Sequence, residues 1–152
     1  MDAKINIRRI SAEQARPLRQ IVLRPGQPEA AVTYPGDDAP ETLHLGAYLE
    51  DKLIGVASVF LDSNTMQASL DAWRLRGMGV LEHFQGQGIG RALLQRCITY
   101  IASRGGTSLW CNARTPVLGF YLAMGFTPSG SEFHIPGAGP HYFMSRPIEL
   151  ED

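Results

Sequence analysis

The sequence predicts an α+β protein, a mixed, mostly antiparallel sheet flanked by helices, with one β-α-β passage near its centre. Three observations lead there. Strand-like stretches recur along the chain, most clearly "INIRRI", "LHLGAYLE", "KLIGVASVFLD" and "TSLWCNA". Three further segments carry helical spacing with recognisable start or stop signals, and one of them lies between two strand-like runs. The chain has 152 residues, 44% of them hydrophobic, which is enough for one domain, residues 1–152, with a core of its own.

Taken in order, "INIRRI" alternates apolar and polar residues as a half-buried strand does. Ser11 with Gln14 forms a capping-box signature, and "AEQARPLRQIVL" follows as a helix that Pro17 limits or kinks. "RPGQPEAAVTYPGDDAPET" is rich in proline and reads as a long loop without regular structure. "LHLGAYLE" and "KLIGVASVFLD" are two strands joined by a turn at Glu50, Asp51 and Lys52. A second turn at "SNT" leads to "QASLDAWRLRGMGVL", a strand with Arg74 and Arg76 on one face and Trp73 and Leu75 on the other. Leu93, Leu94, Cys97, Ile98 and Ile101 then fall at helical spacing, and Gly105-Gly106 stops that helix. "TSLWCNA" is a strand, and Thr115 as N-cap with Pro116 opens the helix "VLGFYLAM", which Gly125 ends. "TPSGSEFHI" and "HYFMSRPI" pair around "PGAGP" as a hairpin.

Composition excludes several classes of function. Fourteen basic and fifteen acidic residues give a net charge of −1 with no charge run, so no nucleic-acid partner is expected. Cys97 and Cys111 sit in apolar segments, as packed thiols of a cytoplasmic protein do. The start "MDAKINIRRISAEQ" lacks the apolar region of a secretion signal, and no apolar run is long enough for a membrane span. No metal-ligand pattern stands out, and oligomeric state is not legible, a homodimer being one option.

The chemistry is concentrated in "HFQGQGIGRALLQRC". Glycine at three alternate positions weakens the start of a helix by roughly 0.5–1 kcal/mol per residue relative to alanine, so bare backbone must serve a purpose. A strand, a glycine-rich turn and a helix N-terminus together make an anion site, because the first N–H groups of a helix are unpaired and its dipole favours negative charge. The alternative is a glycine-rich connection without a ligand. A Walker loop needs GK[ST], and here Arg91-Ala92 follows Gly90. A dinucleotide fingerprint needs G-x-G-x-x-G and a later acidic residue, and neither is present.

"QGQGIG" (Gln85, Gly88, Gly90) resembles the Q/R-x-x-G-x-G/A signature of the GNAT family of N-acetyltransferases, which hold the pyrophosphate of acetyl-coenzyme A. The resemblance extends along the chain: "RLRGMGVLEHFQGQGIGRALLQ" looks like the family's central strand, phosphate loop and helix, and "LWCNARTPVLGFYLAMGF" like its next strand and FYxxxGF helix. "IPGAGPHYFM" is similar to the closing strand of small bacterial-type members. It implies an acetyl-CoA-dependent acyltransferase acting on a primary amine of a small molecule, amino acid or peptide, by direct attack on the thioester. The competing function is a domain that binds or senses acyl-CoA without turnover.

The resemblance also implies site residues. Backbone groups of Met78, Gly79 and Val80 would bond the pantetheine, and Gln85, Gly86, Gln87, Gly88, Ile89, Gly90 and Arg91 would hold the pyrophosphate. Asn112 could bond the pantetheine or cap the turn toward Thr115; family members more often carry the asparagine where this chain has Arg114, which makes Arg114 a candidate phosphate contact. Tyr121 matches the tyrosine that protonates the departing thiolate, against the alternative of a core aromatic. The base is poorly marked: Glu82, Asp71, His44, Glu132 and His141 are candidates, with His141 titrating in a useful range. Arg74 and Arg76 either form a solvated face or, if they point into the cleft, bind a substrate carboxylate.

Overall fold

The computed structural model describes residues 4–62 and 71–149. The strands are β1 (Ile5–Arg9), β2 (Leu43–Leu49), β3 (Lys52–Leu61), β4 (Ala72–Val80), β5 (Ser108–Arg114), β6 (Thr127–Ile135) and β7 (Gly139–Pro147). The helices are α1 (Ala12–Leu23), α2 (Ile89–Ser103) and α3 (Leu118–Ala123). The strands form one seven-stranded sheet in the order β1-β2-β3-β4-β5-β7-β6, antiparallel except where β4 and β5 run parallel. This is the mixed, mostly antiparallel α+β arrangement the sequence predicts. The predicted "SNT" turn and the first residues of "QASLDAW" lie outside the described residues. Among the described residues, no helix is long and apolar enough to cross a membrane.

The chain divides into two compact units, Met1–Phe60 with Gly77–Cys97, and Leu61–Arg76 with Ile98–Asp152. In the first unit β1 pairs with β2 and β2 with β3. The capping box is complete: the Gln14 N–H donates to Ser11 Oγ (3.1 Å), and the Ser11 N–H donates to Gln14 Oε1 (2.9 Å). The helix runs through Pro17 to Leu23. Proline costs one i→i−4 bond there, and the buried Ala15 and Leu18, which cluster with Ile10 and Val56, hold both halves of the helix down.

The predicted irregular loop is more ordered than its composition suggests. Glu29–Val32 make a 3₁₀ turn, and Val32, Tyr34 and Asp37 are buried. Prolines and acidic residues look like a solvated loop in sequence, whereas here Asp37 is turned inward onto Arg19.

In the second unit β5 pairs with β4 at Ala72, Trp73 and Arg74, and with β7 along its whole length. Trp73 meets Tyr100 of α2 edge-on at 5.8 Å. Both helix stops are local and obey sequence rules. The Gly105 N–H donates to Ala102 O and the Gly106 N–H to Ile101 O, closing α2 with Gly105 at φ +76°. The same pair of bonds, Gly125 to Leu122 and Phe126 to Tyr121, closes α3 with Gly125 at φ +89°. Thr115 departs from expectation. The turn Thr115–Val117 is 3₁₀, without a side-chain cap, and the Thr115 hydroxyl donates to Glu132 instead (2.9 Å).

Candidate active site

In the first unit, β4 ends at Val80, a short 3₁₀ turn covers Glu82–Phe84, and α2 starts at Ile89. The first helical bond runs from the Ala92 N–H to Gly88 O (3.0 Å). The N–H groups of Ile89, Gly90 and Arg91 therefore belong to the first turn, where no helical carbonyl precedes them. Gly86 and Gly88 adopt φ +80° and +84°, and a Cβ on either would meet nothing within 4 Å. Those backbones need glycine for their conformation, and the space beside them is open. Helix α2 has no acidic residue in its first turn, and Arg91 is exposed there. The Gln85 side chain bends back and donates to Val80 O (2.9 Å), joining the loop to the end of the strand.

The strand preceding the loop has glycines of another kind. Gly77 sits at φ +68° inside β4, and a Cβ there would approach Arg19 Nε to 2.8 Å. A Cβ on Gly79 would come within 2.8 Å of Val22 Cγ1. Both glycines are required by α1, which packs directly on the backbone of β4. Met78, Gly79 and Val80 are partly buried and lie beyond the ladder that β4 makes with β5.

Beside Gly77 is a buried polar cluster that the sequence did not disclose. Arg19 is fully buried; it donates to both Asp37 carboxylate oxygens (3.0 and 3.1 Å), Val32 O (2.8 Å) and Ser58 Oγ (3.0 Å), and its guanidinium lies 4.3 Å from the Tyr34 ring centroid. Ser58 Oγ is 2.6 Å from His44 Nδ1, and His44 Nε2 is 2.8 Å from Asp37 O. A carbonyl can only accept, so Nε2 carries the proton, and Nδ1 accepts from the serine hydroxyl. Burial lowers the His44 pKa, an effect the Arg19 charge reinforces. Burial would raise the Asp37 pKa, but hydrogen bonds from Arg19 and Tyr34 lower it on balance. His44 is thus a buried imidazole with both ring nitrogens bonded within the cluster. The available signal was Arg19 itself, a cation interrupting the apolar stripe of Ala12, Ala15, Leu18 and Val22.

The second unit holds Tyr121, Asn112, Arg114 and His141. Tyr121 packs edge-on against Phe120 (5.1 Å) and Phe126 (5.4 Å). Desolvation raises its pKa well above the usual 10, the neighbouring Cys111 adds to the rise, and Arg114 opposes it. The phenol is therefore a neutral donor at any ordinary pH. Asn112 and Arg114 are partly buried on β5, and the turn after them begins without a side-chain cap. His141 is 3% exposed, is stacked on Phe133, and has Nδ1 2.7 Å from Gly139 O, so Nδ1 carries the proton and Nε2 is the basic nitrogen. Arg74 lies 4.7 Å from the Trp110 ring centroid and 4.0 Å from the Asp62 carboxylate, so it has partners within the protein rather than a purely solvated face. Of the acidic base candidates, Glu132 accepts from Thr115.

The model of the Acetyltransferase (GNAT) family matches residues 8–126. A protein of Bacillus subtilis (strain 168), "Uncharacterized N-acetyltransferase YitI", is 34% identical over 144 residues, which make up 95% of this chain and 97% of that protein. The ribosomal-protein-S18-alanine N-acetyltransferase from Escherichia coli aligns with a TM-score of 0.75 at 20% identity, over 98% of this chain and 97% of its own. Aminoglycoside 6'-N-acetyltransferase complexed with coenzyme A aligns with a TM-score of 0.76 at 15% identity, over 97% of this chain and 99% of its own. At those identities the two solved structures speak for the fold alone.

Proposed function

Because the chain belongs to the GNAT acetyltransferase family and is an acyltransferase, we propose that it moves the acetyl group of acetyl-coenzyme A to the nitrogen of a primary amine by direct attack. The observation that carries this reading is the glycine loop. Gly86 and Gly88 hold positive φ with open space where a Cβ would stand, immediately before a helix N-terminus. That is the cradle a pyrophosphate fits: no side chain blocks the approach, and unpaired N–H groups with the helix dipole favour the anion. Coenzyme A bound to the aminoglycoside enzyme supports the choice of pyrophosphate ligand.

In this reading the amides from Gly86 to Arg91 hold the pyrophosphate, with the Arg91 guanidinium as a further partner and Gln85 bracing the loop on Val80. Met78, Gly79 and Val80 offer strand backbone to the pantetheine amides, and Asn112 and Arg114 add polar contacts. When bound, acetyl-coenzyme A supplies an activated acetyl thioester. Tyr121 Oη donates to the sulfur as negative charge develops there. His141 Nε2 takes the proton of the ammonium, its tautomer fixed by Gly139. Residues 1–152 act as one acetyltransferase domain, since β4 and α2 each begin in one unit and end in the other.

The test is a thermal shift followed by a thiol-release assay. Coenzyme A at 100 times its Kd should stabilise the folded protein by about 2.7 kcal/mol, with NAD far weaker, and at least one amine should release thiol from acetyl-coenzyme A. Equal stabilisation by NAD would refute the pyrophosphate assignment. Coenzyme A binding without thiol release across a broad amine panel would refute catalysis.

A further inference from the structure

Helix α3 carries Tyr121, yet the helix itself has few anchors. Its residues, Leu118–Ala123, are none of them fully buried, and its N-cap, Val117, has no polar side chain to cap it. A helix this short gains little from its own hydrogen bonds, so its place depends on what holds its ends. The C-terminal end is the one that is held. Met124 and Phe126 are buried, and the Phe126 N–H donates to Tyr121 O (3.0 Å).

The other holder comes from β7. The strand register places Arg146 opposite Leu109 and Met144 opposite Cys111, so these four side chains share one face of the sheet. Tyr121 lies on that face too, beside Cys111. From there the Arg146 guanidinium joins two backbone carbonyls. Nη1 donates to Met124 O (2.7 Å), the C-cap carbonyl of α3, and Nε donates to Pro147 O (3.1 Å) in β7. The last carbonyls of a helix lack helical partners and carry the negative end of its dipole, so a cation that donates there is favoured on both counts. Gly125 makes room for the contact. Besides its φ of +89°, a Cβ on it would stand 3.3 Å from Arg146 Nη1.

We propose that Arg146 is a positioning residue for acetyl transfer: it ties the C-terminal end of α3 to β7 and thereby sets where the Tyr121 hydroxyl stands. This rests on the reading above in which Tyr121 donates to the departing sulfur. Tyr121 precedes Met124 by less than one helical turn, so a shift of the cap carbonyl carries the ring with it. A displacement of about 1 Å at a reacting group can cost on the order of 10²-fold in rate. Arg146 itself touches no reacting atom and acts only through the tyrosine.

The experiment is a double-mutant cycle of Arg146→Met with Tyr121→Phe. It is read by melting temperature and by steady-state thiol release from acetyl-coenzyme A, with an amine for which chemistry limits kcat. Alone, Arg146→Met should lower kcat at least about fivefold, but no more than Tyr121→Phe does, with the KM for acetyl-coenzyme A within about twofold. Added to Tyr121→Phe, it should cost less than about twofold, because the hydroxyl it positions is gone. The fall in melting temperature should be equal in both backgrounds, since loss of the cap is indifferent to the hydroxyl. Arg146→Lys keeps a cation and a donor at the helix end, so its kcat should lie between those of the parent and Arg146→Met. The same lysine variant runs the cycle if the methionine variant does not fold. Losses that multiply in the double variant, or a folded Arg146→Met with parental kcat, would overturn the positioning role and leave Tyr121 as the donor. Parental kcat in Tyr121→Phe would instead overturn the donor reading and the role with it. No thiol release by the parent with any amine would overturn acetyl transfer itself.

Discussion

Tyr121→Phe removes one oxygen and keeps the ring contacts with Phe120 and Phe126, so fold stability should change little. Its effect on rate follows from the surroundings of the hydroxyl. Burial, then Cys111, raise the phenol pKa, and Arg114 only partly offsets them. An ordinary phenol near 10 is already a weaker acid than an alkyl thiol near 8.5, a gap of about 2 kcal/mol against complete proton transfer to sulfur. The raised pKa widens that gap. Tyr121 is therefore suited to donate a hydrogen bond to the developing thiolate, with the proton moving late if at all. A hydrogen bond to a charged group contributes about 1.5–3 kcal/mol, or roughly 10–150-fold in rate. That overlaps only the lower part of the 10²–10⁴ range of general acid catalysis.

The assay is steady-state thiol release at saturating acetyl-coenzyme A, with an amine for which pre-steady-state traces show no burst. For Tyr121→Phe, kcat should fall about 10–150-fold, with the KM for acetyl-coenzyme A within about twofold. The loss should shrink with a thioester whose thiol is more acidic, because less charge then needs stabilising. Between pH 6 and 9 the parent should show no falling limb from Tyr121, since its pKa lies above 10. A variant within about twofold of the parent under these conditions would return Tyr121 to a packing role.

Gly88→Val should abolish the thermal shift given by coenzyme A while the protein still folds, with a stability loss of about 1–3 kcal/mol from forcing φ +84° on a β-branched residue; a normal shift in a folded variant would refute the cradle. Burial pushes the Cys97 and Cys111 thiols up from 9.0 to about 12, so the folded state retains protons that the unfolded chain loses as pH rises past 9. Stability should therefore fall above pH 9 by up to about 1.4 kcal/mol per pH unit for each thiol, and denaturant titrations of Cys97→Ala with Cys111→Ala should show a flatter slope. His44 works at the other end: its pKa is lowered from 6.5, mainly by burial, so the unfolded chain takes up a proton first as pH falls. Its contribution is intact above 6.5 and is lost below it, and a His44→Gln variant whose melting temperature falls as steeply as the parent's between pH 6.5 and 5 would refute that.

What the sequence made legible is local. The Ser11 capping box, the Gly105 and Gly125 helix stops, the Glu50-Asp51 turn and the alternation of Trp73 and Leu75 with Arg74 and Arg76 depend on residues a few positions apart. Each formed as written because short-range rules govern it, except that Lys52, expected in the turn with Glu50 and Asp51, opens β3. The Arg19 cluster was hidden because its members lie at 19, 37, 44 and 58, and no periodicity links an arginine on a helix to an aspartate in a proline-rich loop. The Thr115 cap failed for the same reason: its hydroxyl found Glu132, brought alongside by β6. The candidate site divides likewise. Its glycine loop is a contiguous motif, whereas Arg114 and His141 come to stand opposite one another only through the register of β5 and β7.

The glycines of β4 and of the loop show why composition alone understates this stretch. Gly77 and Gly79 are bare because α1 presses on the strand: a Cβ on either would approach Arg19 or Val22 within 2.8 Å. Gly86 and Gly88 are bare with nothing near them. Gly77 lets the fully buried Arg19, bonded to the Val32 carbonyl and Asp37, approach the backbone of β4, and Gly79 makes room for Val22 of the same helix. Breaking such a buried pair by removing one partner typically costs about 3–5 kcal/mol, and the strand just before Met78, Gly79 and Val80 is packed closely by the helix that carries Arg19. The second pair leaves the loop's N–H groups accessible from the other end of the same segment. In the proposed reading a cosubstrate with a long flexible arm and a pyrophosphate would use both features, a closely packed strand to align the arm and an uncovered helix start to take the charge, and the order Gly77, Gly79, Gly86, Gly88 places them within twelve consecutive residues.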